Sequence, residues 1–147
     1  MNWINVLGLI IVLFMLIPNI VYAYKNKNTV NLCDHKIMNI IEQIGRYSSM
    51  FLMVFNIGIL EFGFASNELF VLWIIGIVVL LFLYWLFWYF YFKSPRLFFA
   101  LMLAIIPSCI FIFTGLSMRH WLLVIVGILF SVGHIYVTYQ NNSTKTV

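Results

Sequence analysis

Between residues 69 and 92 the chain carries no charged side chain, and much of the run is aromatic: LFVLWIIGIVVLLFLYWLFWYFYF. A helix rising about 1.5 Å per residue needs about 20 such residues to cross the hydrocarbon of a bilayer. Backbone in lipid must satisfy its own hydrogen bonds, which an α-helix does within one segment. Runs of the same kind cover residues 6–24, 97–116 and 121–139, and a fifth, 39–60, is apolar on one face. The chain is 65% hydrophobic and 8% charged, whereas a soluble domain carries about a quarter charged residues. A chain of 147 residues cannot hide that much apolar surface in a core of its own, so lipid is the expected solvent. The sequence reads as an all-α polytopic membrane protein, one domain over 1–147, a bundle of five transmembrane helices.

The connections agree with this reading. Pro18 removes the hydrogen bond to the carbonyl of Phe14 and predicts a kink in the first span; Pro107 and Ser108 predict another in the fourth. No Lys or Arg precedes Lys25, which argues against a cleaved signal peptide, although Val21, Tyr22 and Ala23 resemble a cleavage site. Residues 25–38 form the substantial polar loop, with Cys33 in it and open to a thiol reagent. Ser66 or Asn67 can cap the third span, and Pro95 can open the fourth. Arg119, His120 and Trp121 read as an interfacial anchor with His120 at the surface, Glu61 and Glu68 as solvated loop charges, and the aromatic end of the third span as a lipid-facing belt.

Basic residues give the orientation. With the amino terminus outside, Lys25, Lys27, Lys36, Arg46, Lys93, Arg96 and Lys145 fall on or toward the cytoplasmic side, and of the eight Lys and Arg only Arg119 falls outside. The positive-inside pattern therefore predicts amino terminus out and carboxyl terminus in, with residues 140–147 a cytoplasmic tail. The expected location is a cell membrane crossed several times; abundant Ile, Phe, Asn and Lys suggest a bacterial one. Basic residues scattered over helix ends give no nucleic-acid patch. The expected partner is the lipid bilayer, with a second copy or another membrane protein left open.

The stretch 39–56, NIIEQIGRYSSMFLMVFN, breaks the apolar pattern. Asn39, Glu42, Arg46, Ser49, Met53 and Asn56 recur at three- and four-residue spacing, which places them on one helical face. The opposite face, with Ile40, Ile41, Ile44, Phe51, Leu52 and Phe55, can meet lipid. Depth follows from the helical rise. Asn19 lies five residues before the end of the first span, Glu42 six after Lys36, and His134 six before Gln140, so all three sit roughly 8–9 Å below one surface. Arg46 lies one turn deeper and can reach back to Glu42. The fifth span adds a small and polar stripe of Gly127, Ser131, His134 and Thr138, suited to close packing and interhelical hydrogen bonds; Tyr22 can join the layer.

Candidate ligand-binding residues are therefore Glu42, Arg46, His134, Asn19, Asn39, Ser49, Tyr22, Ser131 and Thr138. Intramembrane charges are costly and call for an explanation. Glu42 could bind a cation or take a proton, Arg46 could hold an anionic headgroup or carboxylate, and His134 titrates near neutrality. The same residues can equally be structural stitching, an i, i+4 ion pair with a histidine bonded to a neighbouring helix. Three classes of function remain. The first is a protein with a cytoplasm-side pocket that binds or helps transport a small polar or amphiphilic molecule. The second is an accessory or immunity-type interaction protein with a closed interior. The third is an enzyme using Glu42 and His134 as acid and base, with no nucleophile or metal set beside them. No cofactor and no metal are expected: the Cys and His residues lack ligand spacing, and the chain has no phosphate-binding glycine loop.

Overall fold

The computed structural model describes residues 3–27, 31–57 and 63–143. They form five α-helices: α1 (Val6–Lys25), α2 (Lys36–Val54), α3 (Asn67–Lys93), α4 (Leu97–Ser117) and α5 (Trp121–Ser143). Four of these, α1, α3, α4 and α5, are long and apolar enough to cross a membrane, which suggests a multi-pass membrane protein. Helix α2 does not meet that standard, because Lys36, Glu42 and Arg46 lower the mean hydropathy of the helix as a whole.

Local chemistry sets the helix ends. Asn5 Oδ1 accepts the Gly8 N–H at 3.0 Å and Ser66 Oγ accepts the Leu69 N–H at 3.2 Å, so each satisfies a donor that has no partner within its helix. Pro95 does not open α4; the helix begins at Leu97, after an extended Arg96. Helix α2 starts at Lys36 and stops at Val54, well short of residue 60. Phe55 is extended and forms an antiparallel bridge with Ile4. The Asn5 N–H reaches the Val54 carbonyl at 2.8 Å and the Asn56 N–H reaches that of Trp3 at 3.0 Å. This pairing with the chain ahead of α1 takes backbone groups that a longer helix would have used. Residues 58–62, Glu61 among them, lie outside the described residues.

The turn from α4 to α5 departs from its sequence reading. Arg119 takes a left-handed conformation (φ 56°) and the His120 N–H bonds the Gly115 carbonyl at 2.7 Å, closing the end of α4. His120 is buried, not at the surface, and its Nδ1 accepts the Leu123 N–H at 3.1 Å as a cap on α5. Burial lowers its pKa below the ordinary 6.5.

Around the bundle the helices follow the order α1, α2, α5, α4, α3 and back to α1. Neighbours run antiparallel except α1 and α3, which are parallel. The seams differ in closeness. A Cβ at Gly133 of α5 would fall 2.8 Å from the backbone nitrogen of Glu42, and one at Gly45 of α2 would fall 2.7 Å from Phe130 Cα. Only glycine permits that approach of α2 to α5. Phe111, Ile110, Phe130, Leu123 and Trp73 fill the centre between α4, α5 and α3, and Trp73 Nε1 donates to Thr114 Oγ1 at 3.2 Å. Both prolines sit inside continuous helices. The carbonyl of Phe14 that Pro18 releases accepts Trp85 Nε1 from α3 at 3.2 Å. Below Pro107, Ser108 Oγ donates to the Ala104 carbonyl at 2.9 Å.

Candidate functional site

Glu42 is the centre of the polar layer. Its side chain is 7% exposed, and its Oε1 accepts Arg46 Nη2 from the next turn of α2 and meets His134 Nδ1 of α5 at 3.0 Å. The close approach at Gly133, one residue before His134, brings the two helices near enough for this contact. An ionised Glu42 accepts only, so the bond places the histidine proton on Nδ1. The ring of His134 stacks on Phe130 with centroids 4.7 Å apart, which fixes its plane. Arg46 differs from its partner: its side chain is 39% exposed.

What Arg46 is exposed to is a cleft of about 660 Å³ with contributions from all five helices. Five of the nine sequence candidates line it: Asn19, Tyr22, Arg46, His134 and Thr138. Tyr47, Trp88 and Tyr91 add aromatic walls, Ala100, Leu103 and Ala104 of α4 an apolar floor, and Asn31, Asn141 and Asn142 a polar rim. The rim is built by the loop ahead of α2 folding over the end of α5. The Leu32 N–H donates to Asn141 Oδ1 at 2.7 Å, and Asn39 Nδ2 donates to the Cys33 carbonyl at 2.9 Å.

The remaining candidates have other places. Asn39 bonds Asn31 and Cys33 and so shapes the rim loop without lining the cleft. Ser49 is fully buried, with no hydrogen-bond partner for its Oγ among the described residues. Ser131 is half-buried and away from the cleft lining. Asn19 does not join Glu42; its Nδ2 donates to Tyr84 Oη and to the Met15 carbonyl, both at 2.7 Å. Leu52, read as lipid-facing, is buried with the inward stripe. Cys33 is buried under the rim loop rather than open to reagents.

The largest omission from the sequence reading is aromatic. Tyr84, Trp88 and Tyr91 are buried, while Phe82, Tyr89 and Phe90 on the same helix are exposed, so the belt reading holds for one face of α3 only. Tyr22 packs against Trp88 at 5.4 Å and Tyr91 at 5.8 Å between centroids. The spacing of 84, 88 and 91 by four and three puts them on one helical face, but in an all-apolar helix it gives no sign that this face turns inward. Gly45 and Gly133 carry no signal in the sequence, because a helical glycine announces a close approach only once its partner is known.

Among the described residues the lining contains one arginine, amide and hydroxyl groups, aromatic rings and no Asp or Glu. Chemically it offers donors to an anion or a neutral polar group, with Glu42 already engaged twice behind Arg46. The chain matches no protein-family model, no curated protein and no solved structure.

Proposed function

We propose that this chain is an integral membrane protein whose cleft around Arg46 binds, or helps to move, a small polar or amphiphilic molecule. One observation carries the reading. A cluster that only stitched helices together would be packed on every side, yet Arg46 is left 39% exposed toward an open, mixed polar and aromatic cleft. Its volume, about 660 Å³, falls in the range of small-molecule sites. An accessory or immunity-type protein needs no such opening, and an acid–base enzyme would need a reacting group beside Glu42 and His134.

Helix α2 is, in this reading, a fifth crossing helix. It lies antiparallel beside α1, and its outward stripe of Ile37, Ile40, Ile44 and Phe51 is exposed and suited to lipid. Its charged pair is turned inward, which is the arrangement intramembrane charges require. Lys25, Lys36, Lys93 and Arg96 all sit at the helix ends nearest the cleft. By the positive-inside pattern that end faces the cytoplasm, with the amino terminus outside.

Thiol accessibility tests the cleft. In a Cys33→Ala/Cys109→Ala background, Thr138→Cys should react with the anionic reagent 2-sulfonatoethyl methanethiosulfonate at a rate comparable to Lys27→Cys in the loop. Ser49→Cys should stay inert. A Thr138→Cys as inert as Ser49→Cys would mean a closed interior and end the proposal.

A further inference from the structure

A second cavity lies on the same helix pair. Below the cleft, α1 and α3 part to form an apolar groove of about 510 Å³, bordered by Leu7, Ile10 and Phe14 on one side and Ile74, Val78 and Trp85 on the other. The cleft uses residues 19–23 of α1 with Trp88 and Tyr91 of α3; the groove uses residues 7–14 of α1 with residues 73–85 of α3. The two helices are parallel, so the cavities lie end to end along one seam. The five residues from Phe14 to Asn19 correspond to roughly 7–8 Å. Across that gap the seam is held by three hydrogen bonds, Trp85 to the Phe14 carbonyl at 3.2 Å, Asn19 to Tyr84 at 2.7 Å and the Tyr84 hydroxyl to the Met15 carbonyl at 3.5 Å.

The chemistry changes sharply along this line. The upper cavity holds Arg46 and the asparagine rim, with no carboxylate among the described residues that line it. Lys25 stands over the Phe92 ring at 5.1 Å, and Phe92 in turn packs on Tyr22 at the cleft wall. Donors and positive charge therefore gather at one end of the seam and hydrocarbon alone at the other. Resting on the reading of the cleft as a binding site, we infer that its ligand is an anionic lipid with one long hydrocarbon chain. The phosphate or carboxylate head lies against Arg46 and the chain lies in the α1/α3 groove. Arg46 suits such a head because its planar guanidinium keeps donors free after meeting Glu42. The groove faces lipid along its length, so a chain enters it from the side without crossing water.

Native mass spectrometry of the full chain released from detergent separates the parts of this inference. The probes are 1-oleoyl-lysophosphatidic acid, 1-oleoyl-lysophosphatidylcholine with the same chain but no net charge, and glycerol phosphate as the head alone. One molecule of the phosphatidic form should be retained, about tenfold more tightly than the choline form. In Glu42→Gln/Arg46→Gln, which removes both charges and leaves no lone partner, that preference should vanish. Val78→Trp, at an exposed position in the groove, should weaken the phosphatidic lipid about fivefold or more while leaving the Thr138→Cys reaction unchanged. Equal retention of the two lysolipids by the wild type would overturn the inference and mark the groove as ordinary annular lipid contact. Glycerol phosphate retained as well as the lipid would also overturn it, but would keep the cleft as a polar binding site. If neither is retained and Thr138→Cys is inert, both readings fall.

Discussion

The two sides of this bundle are built differently. Along α2, α5 and α4 the helices touch backbone to backbone through Gly45, Gly133 and Gly115, and nothing larger than a hydrogen fits at the contact points. Helix α1 touches α2 backbone to backbone only near its start, at Gly8 and Met53; between α1 and α3 the helices stand apart, joined mainly by side chains that reach across, and both the cleft and the groove open there. Glycine seams gain van der Waals contact over a long path, the main attraction between helices once lipid surrounds them. Side-chain rungs leave space between them. The bundle therefore divides its labour: one side holds the fold together and the other side is free to hold something else. The Glu42 cluster lies at the border, its acid locked against α5 and its arginine turned to the open side.

The division can be broken most directly at Gly133. Its alanine variant would drive a methyl into the backbone of Glu42, which cannot move aside as a side chain would. We expect a loss of about 3 kcal/mol, the upper part of the overpacking range, read as a fall in unfolding temperature in detergent. Ile20→Ala, at an exposed position lining the cleft, should stay within about 0.5 kcal/mol. Equal effects at these two sites would erase the contrast. Next in size is Arg46→Gln alone, which leaves Glu42 buried with His134 as its partner; about 2 kcal/mol is expected from the loss of a charge-assisted bond. Smaller again are the rungs. Trp85→Phe removes one interhelical hydrogen bond and Tyr84→Phe two, each worth about 0.6 kcal/mol in membrane proteins. A much larger effect would mean that the α1/α3 side also holds the fold.

The smallest expected effect lies at the far end of the bundle. The pKa of His120 is lowered by burial from its ordinary 6.5. Below that value the unfolded chain binds the proton more readily than the folded one, so stability is lost as pH falls through and below 6.5 and is fully present above it. His120→Asn keeps a capping side chain and should flatten the dependence of unfolding temperature on pH between 7.5 and 5. An unchanged slope would assign it to other groups.

Much of this was legible in the sequence, for identifiable reasons. Uncharged runs long enough to cross a bilayer mark α1, α3, α4 and α5 because lipid allows few alternatives. The common depth of Glu42 and His134 was legible from counting residues to helix ends, since depth is set by the helical rise alone. Direction around the helix axis was harder. In α3 every face is apolar, so nothing distinguished Tyr84, Trp88 and Tyr91 from Phe82 and Tyr89 until the neighbours were in place. The end of α2 depended on pairing with residues 3–5, a contact distant in sequence, and the burial of His120 on a left-handed Arg119 that no local pattern announces. Which residues share a depth could be read; which of them line one cleft could not, because the cleft is a space shared by five helices.

The most direct test of the division between a holding side and a binding side is the stability of Glu42→Gln/Arg46→Gln. The amide that replaces the Glu42 carboxylate can still bond His134, and no unpaired charge is left behind. Unfolding in detergent should then fall within about 1 kcal/mol of wild type, far milder than Gly133→Ala. A loss as large as that of Gly133→Ala would make the charged pair a structural pin, and the binding role assigned to Arg46 would be wrong.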